Sequence, residues 1–488
     1  MNVGTFYVNL KNISNLIIKN MRKIYFILIL SCSMNNAQCF TQVVASEIHS
    51  AAVRENGTIV SWGAEGNSWG ILGQGNVGYI YTPTQAGTQN DWTSLFTGSY
   101  TAFGIKTNGT LWGTGGNEEG NLGIGTHGSG NVSKVFVQVG TSNNWKSGSG
   151  SREHVVAVKN DGTIWSWGSN NYRELGNNTT VSHYTPQQIG TGTDWNSVQA
   201  LLHASIGLKT NGTLWGWGSN GSGAIGQSIG ISGSGVPLQI GTDNNWSAIA
   251  TGGASLHTLA LKNDGRLYVF GGAWSSGVGA LGLGPVITFI STPTQIGTDS
   301  NWSKISAHFN TSFAIKANGT LWGWGQNNYG QLGDGTNVDK SYPVQIGSDT
   351  DWASVSAGHF HTIGKKTNGD TYVWGMNTYG QLGLANTNNV NVPTLLNTCV
   401  ILGTEELQTQ QSSLSPNPAR QFFQVKTGVN STFDTVFIHD SSGRLIKTEN
   451  FPSVSKATIQ IEEFAPGLYT VILKSSLSTI ATYKLIKE

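Results

Sequence analysis

Charge is scarce in this chain of 488 residues. Only 11% of it is Asp, Glu, Lys or Arg, less than half of the ~25% usual in globular proteins. That scarcity excludes a long coiled coil, which needs abundant Glu and Lys. Charge-driven disorder is excluded as well, because 38% of residues are hydrophobic. Cysteine is nearly absent, with three residues. No stretch reaches the ~18 consecutive apolar residues of a membrane-spanning helix, so no span is expected in the mature chain. Gly-x-Ser-x-Gly, His-Glu-x-x-His and phosphate-loop signatures are missing too. No catalytic residue, metal ligand or cofactor is therefore assigned, and the chain is expected not to be an enzyme.

The few charges are unevenly placed. Residues 1–38 carry Lys11, Lys19, Arg22 and Lys23 and no acid, residues 404–488 are balanced, and residues 39–403 are left with a net charge of −3. A central region without a basic surplus lacks the electrostatic footprint of a nucleic-acid binder.

Residues 21–37 have the layout of an export signal. Arg22 and Lys23 precede a short apolar stretch from Tyr25 to Leu30, and small residues lead to a cut between Ala37 and Gln38. Met21 is the natural start of such a peptide, which makes residues 1–20 an upstream extension. A lipoprotein reading, with Cys32 as the lipidated residue, fits more loosely. Either way the region 1–38 is set apart from the folded protein. Export leads through the periplasm to the medium or the cell surface, and it leaves Cys39 and Cys399 as an even pair in an oxidising setting.

What is abundant is glycine, at 66 residues, and tryptophan, at 17. Both recur with a period. A motif Asn/Asp-Gly-Thr-apolar-Trp-x-Trp-Gly has its first glycine at Gly57, Gly109, Gly162, Gly212, Gly265, Gly319 and Gly369. An apolar-Gly pair follows each copy, from Leu72-Gly73 to Leu382-Gly383. Next comes a Pro-x-Gln-apolar-Gly segment and then a tryptophan such as Trp92, Trp195 or Trp352; Phe40 takes that place before the first copy. Asn-Gly and Asp-Gly between alternating segments predict hairpins, because both central residues need positive φ. A unit of about 50 residues made of such strands cannot bury its faces alone, and radial stacking solves that. The expectation is an all-β chain with a seven-bladed β-propeller over 39–403, in which the repeated Trp and apolar positions fill the contacts between blades.

These motifs resemble the regulator of chromosome condensation repeat family, most closely at HFHTIGKKTNGDTYVWGMNTYGQLGL (359–384). The resemblance implies the propeller. It leaves function open, since that family ranges from a guanine-nucleotide exchange factor to inhibitors of β-lactamases.

Composition changes at 404. A polar linker, 404–413, precedes a module, 414–488, that reads as a small C-terminal β-sandwich with turns at Ser442-Gly443 and Pro466-Gly467. The module resembles the type A sorting domain of the type IX secretion system. The matching residues are Pro416, Asn417 and Pro418, then Asp440 with Gly443, then Gly467 and Tyr469, and finally the terminal stretch that includes Lys487. The resemblance implies a Bacteroidetes-type source, the type IX machinery as a partner, and delivery to the surface or the medium.

His49, His154, His257 and His361 lie eight residues before a motif glycine. They fall in alternate blades rather than at chelating spacing, so they are read as hydrogen-bonded structural residues. Asp334 and Glu118-Glu119 are read as exposed loop acids. Cys39 and Cys399 flank the repeats, and a closed ring brings such ends together, so a disulfide is expected. Trp69, Tyr79, Tyr81 and Tyr184 fall in variable segments, read as loops, and are the candidate ligand contacts. The sum is an exported, non-enzymatic binding propeller with an unknown protein or glycan ligand on one rim. A carbohydrate-binding or polysaccharide-processing surface protein is the alternative reading, and nucleotide exchange is a further one that rests on fold analogy.

Overall fold

The computed structural model describes residues 39–65, 69–75, 78–228, 230–274, 278–397, 399, 413–427, 432–475 and 478–488. The expected signal cleavage between Ala37 and Gln38, and Cys32, lie outside them. The chain divides into two units, Met1–Val400 and Ile401–Glu488. Of the expected linker 404–413, only Ser413 is described, and it begins a strand.

Among the described residues, the first unit holds seven four-stranded antiparallel sheets, each made of consecutive strands. Sheet 1 comprises Phe40–Ala45, His49–Arg54, Ile59–Gly63 and Ile80–Gln85. Sheets 2 to 7 cover 92–138, 145–188, 195–239, 246–295, 302–345 and 352–397. The first strand of each touches that of the next, and Trp352–Ala357 of sheet 7 touches Phe40–Ala45 of sheet 1.

The sequence landmarks explain this geometry. At the motif glycine the second strand turns into the third; Gly57 has φ 73°, and a Cβ there would collide with the Asn90 carbonyl. The third strand buries the second motif tryptophan completely at Trp62, Trp167, Trp217, Trp324 and Trp374. These indoles fill the space between sheets, and four of them donate Nε1–H to a carbonyl of the preceding sheet. Trp167 reaches Asn121 O at 2.9 Å and Trp217 reaches Glu174 O at 2.9 Å. Trp62 of sheet 1 does the same to Gln381 O of sheet 7, at 2.9 Å. The apolar-Gly pair serves that contact. Gly123 has φ 71°, and a Cβ would lie 2.7 Å from Nε1 of Trp167. Only glycine accepts both the backbone angle and the neighbouring ring.

At the end of the strands where the motif glycine turns, a lysine closes most second strands. Lys316 Nζ lies 4.8 Å from the Trp302 ring and 4.1 Å from Trp322, with Asp299 at 2.8 Å. Lys106, Lys159, Lys209, Lys262 and Lys366 are sandwiched between aromatic rings in the same way. Their stems cover apolar surface while the charge rests on the ring faces. Cys39 and Cys399 are joined by a disulfide, with Cα atoms 4.7 Å apart across a sequence separation of 360.

The second unit holds a three-stranded sheet (Ser413–Ser415, Phe422–Lys426, Lys456–Gln460) and a four-stranded one (Leu445–Val454, Phe433–Asp440, Gly467–Ser475, Ser478–Lys487). One buried cluster draws on both, with Phe423 and Ile459 from the first and Phe433, Val471 and Leu485 from the second. The motif residues meet at the chain end. Asn417, between Pro416 and Pro418, donates to Lys484 O at 2.8 Å and accepts from Ile486 N at 2.9 Å. Ala419 bridges Lys487. Gly443, at φ 84°, sits in a turn held by the Asp440 carboxylate. Gly467 opens its strand, and the Tyr469 hydroxyl donates to Ala465 O at 2.8 Å.

Candidate functional site

Antiparallel order puts two sets of connections at one end of the seven sheets: the turns between first and second strands, and the segments between third and fourth strands. The turns occupy the positions nine and ten residues before each motif glycine, where every repeat carries a different pair: Glu47-Ile48, Ser99-Tyr100, Arg152-Glu153, Leu202-His203, Ser255-Leu256, Phe309-Asn310 and His359-Phe360.

These turn residues meet in a continuous arc. The Trp274 ring stacks on Phe309, with centroids 5.8 Å apart, and Phe309 lies 3.8 Å from His359. His359 stacks on Phe360 at 4.0 Å, and Phe360 meets Tyr329 at 5.0 Å. His359 Nδ1 lies 3.5 Å from Glu47 Oε1, and the Tyr100 hydroxyl donates to the same oxygen at 3.3 Å. Tyr100 packs edge-on against Trp69 at 3.9 Å, and the Arg152 guanidinium lies 5.6 Å above the Tyr100 ring. The arc thus runs from sheet 5 through sheets 6, 7, 1 and 2 to sheet 3. Phe309 holds φ 51°, a conformation that costs a bulky side chain energy and persists only where packing enforces it.

The electrostatics are set by burial. Burial pushes the Glu47 carboxyl upward, but the His359 hydrogen bond and the neighbouring imidazoles outweigh it and hold the group below its usual range. Tyr100 is raised, first by burial and then by the Glu47 charge. His308 is buried and depressed to about 3 by desolvation, aided by His359. An arc of aromatic faces around one carboxylate suits contact with a partner surface or a ligand ring.

Two cavities adjoin these elements. One, of about 230 Å³, is lined by the first strands of the seven sheets or the residues directly after them, including Ala45, Phe96, Gly150, Gln199, Gly252 and His308. The other, of about 550 Å³, lies where the arc meets sheets 1 to 3 and is lined by Trp69, Tyr100, Glu118, Glu119, Asn121 and Arg152 among others.

Of the four aromatic residues proposed from sequence, Trp69 belongs to the arc. The loop assignment of Tyr81 and Tyr184 is corrected: they lie in the fourth strands Ile80–Gln85 and His183–Gln188, which begin upstream of the proline that marks them in sequence. Tyr184 is half-buried, stacks on His127 at 3.7 Å, and packs where Gly120 has no side chain. Tyr81 packs on Gly380 in the same way, and Tyr79 precedes that strand and stacks on Tyr379 at 5.8 Å. Glu47, Tyr100, Trp274, Phe309, His359 and Phe360 were missed. The signal for them was variation at a fixed place in an otherwise repeating unit. Asp334 accepts from Asn327 Nδ2 at 3.0 Å and pairs with Lys340 at 2.9 Å, so its carboxylate is engaged internally.

Three of the four column histidines hydrogen-bond a serine across a sheet boundary or beside it. His154 lies between Ser151 and Ser205, His257 meets Ser312, and His361 meets Ser50. His49 departs from the expectation: it is buried with neither ring nitrogen partnered among the described residues.

An RCC1-like domain matches residues 149–433, more than half of the chain, and a secretion system C-terminal sorting domain matches 413–488. The sorting domain indicates secretion or surface attachment through the type IX system. The ultraviolet-B receptor UVR8 of Arabidopsis thaliana is 27% identical over 297 residues, covering 60% of this chain and 54% of the receptor. Human regulator of chromosome condensation is 25% identical over 321 residues, covering 61% and 62%. The chain therefore spans between about half and just under two thirds of these curated relatives. Among solved structures, human WBSCR16 superposes with TM-score 0.60 at 18% identity, over 70% of this chain and 94% of its own. Prp20p of Saccharomyces cerevisiae gives 0.60 at 18%, over 78% and 90%. At those identities the likeness concerns the fold, which is that of a β-propeller. Repeated four-stranded sheets, the motif glycines and tryptophans that build them, and the matched domain agree: the chain belongs to the RCC1-like domain family.

Proposed function

We propose that the chain is an exported, non-enzymatic binding protein whose seven sheets close into a seven-bladed propeller and whose second unit is a β-sandwich sorting domain. Closure is supported by the contact of first and seventh sheets, by the Trp62–Gln381 and Ser50–His361 hydrogen bonds, and by the Cys39–Cys399 disulfide. In this reading the sorting domain engages the type IX machinery, and the propeller arrives at the cell surface or in the medium by way of the periplasm. The partner is a protein or a glycan held on one rim. The single observation that carries the reading is the arc from Trp274 to Arg152, because a set of stacked aromatic faces crossing six sheets is more than the repeat needs for its own packing.

The test is capture. The tagged full chain is incubated with envelope and culture extracts and washed with salt, beside a variant carrying Phe360→Ala and Glu47→Gln. A saturable partner retained by the parent and lost by the variant supports the reading; equal retention by both, or none by either, overturns it. Export is tested separately by removing residues 413–488, which should leave the protein in the periplasm. Nucleotide exchange, the activity class suggested by fold analogy, has no observation of its own here and is not favoured.

A further inference from the structure

The cavity of about 550 Å³ at the end of the arc has a chemistry of its own. Its volume falls in the ~300–1,000 Å³ range of small-molecule sites. Trp69 and Tyr100, edge to face at 3.9 Å, form its aromatic wall. The polar wall is rich in acceptors. Asn121 is 4% exposed, lines the cavity, and leaves its Oδ1 without a hydrogen-bond partner, while its Nδ2 makes only a long bond of 3.4 Å to Arg152 O. A buried amide oxygen left in that state costs stability, and a ligand donor would satisfy it. The Glu118 and Glu119 carboxylates, on the exposed loop beside it, accept no side-chain or backbone hydrogen bond among the described residues. By contrast Asn117 is fully spent: its Oδ1 accepts from Leu122 N at 2.9 Å and its Nδ2 reaches Thr126 O at 2.8 Å.

We propose that this cavity is a binding site for a neutral saccharide. The proposal rests on the binding reading above and names a ligand class for one part of the rim. A sugar ring presents apolar C–H groups on one face, which stack on an aromatic wall, and hydroxyl donors around its edge, which match the acceptors Asn121 Oδ1, Glu118 and Glu119. Three carboxylates, counting Glu153, line the cavity against two cations, Lys134 and Arg152. That balance disfavours phosphates, sulfated glycans and uronic acids. The two cations in turn disfavour a basic peptide, and Arg152 is already placed over the Tyr100 ring at 5.6 Å.

The experiment is calorimetric titration and saturation-transfer NMR on the purified full chain. The probes are cellobiose, maltose and N,N′-diacetylchitobiose, with a tri-lysine peptide and a sulfated disaccharide beside them. Saturable binding of at least one neutral sugar is expected, weakened tenfold or more by Trp69→Ala and several-fold by Glu118→Gln with Glu119→Gln. The two glutamates are exposed, so the second variant tests the site even where the first disturbs the loop; its thermal melt should match the parent. Absence of binding by every neutral sugar overturns the proposal. So does preference for the tri-lysine peptide or the sulfated disaccharide, or sugar binding unchanged in both variants. If sugars fail while the capture experiment still separates Phe360→Ala with Glu47→Gln from the parent, only the saccharide assignment falls. If both fail, the binding rim falls with it.

Discussion

His361 Nε2 lies 2.8 Å from Ser50 Oγ, although 311 residues separate them in sequence. The same pairing links His154 to Ser205 at 2.9 Å and His257 to Ser312 at 2.8 Å. In each case the histidine of one sheet meets the serine that follows the column position in the next sheet, and the serine donates onward to a carbonyl: Gln381 O, Glu174 O or Ala280 O. The pair is thus a repeated clasp between neighbouring sheets, and between sheets 7 and 1 it is the same clasp.

His49 lacks it because the matching residue of sheet 2 is Ala102. Ala102→Ser supplies the missing hydroxyl. The variant is expected to be more stable by about 1 kcal/mol, the usual net value of a buried hydrogen bond, read as a raised melting temperature. An unchanged or lowered melt would show that the site has no room for the hydroxyl.

The disulfide ties a loop of 360 residues. Chain-entropy reasoning gives about 6 kcal/mol for a loop of that length, just above the ~5 kcal/mol upper end of measured disulfide contributions. Cys399→Ser should lower the melting temperature of the first unit by many degrees, and reduction with alkylation should add two labels to the parent. Two free thiols in the non-reduced protein would refute the bond.

Acid should loosen the sheets. His49, His154, His257, His308 and His361 are held near 4, 3, 4, 3 and 3, with burial the leading cause in each. Their ordinary value is 6.5, so below that pH the unfolded chain binds more protons than the folded one. Stability is complete above about pH 6.5 and falls as pH drops toward 4, by up to about 1.4 kcal/mol per pH unit for each histidine. Glu65, raised by burial to about 7, and Glu174, also raised by burial, act in the opposite sense, but the buried histidines outnumber them. Thermal melts at intervals from pH 8 to 4.5 should be nearly level at the start and then decline. His154→Gln should flatten the decline, and a level profile throughout would contradict neutral burial.

Asn417 joins the start of the second unit to its last strand through both arms of its amide. Asn417→Ala leaves the Ile486 N–H without this partner, and a loss of about 1–2 kcal/mol is expected. The readouts are the melting of the second unit and the exported fraction of the protein. Export at the parent level with a lowered melt would separate folding of the unit from its recognition.

The sheets were legible because their grammar is local. Gly57 and its six counterparts mark hairpins through a backbone angle, and Leu-Gly marks the place where the next sheet's tryptophan lies. The fourth strands were less legible: Ile80–Gln85 and His183–Gln188 start before their proline, in stretches without clear alternation, so Tyr81 and Tyr184 passed for loop residues. The arc was legible only in fragments: Trp69 stood out as an aromatic in a variable segment and the turn positions vary from unit to unit, but neither signal says that these residues meet. Phe309, His359 and Glu47 touch only because successive sheets stand side by side, and no local pattern in any one unit announces that contact.

Every sheet of the first unit is assembled from consecutive strands, and none borrows a strand from the far end of the chain. Each can therefore take shape as soon as its own stretch has emerged, with only loops inside that stretch to close. The seam between the first and last sheets is the exception, because it waits for the whole repeat to be delivered. That order leaves a single late step once the last sheet has formed. It also lets one unit be copied or lost in evolution without rewiring the others.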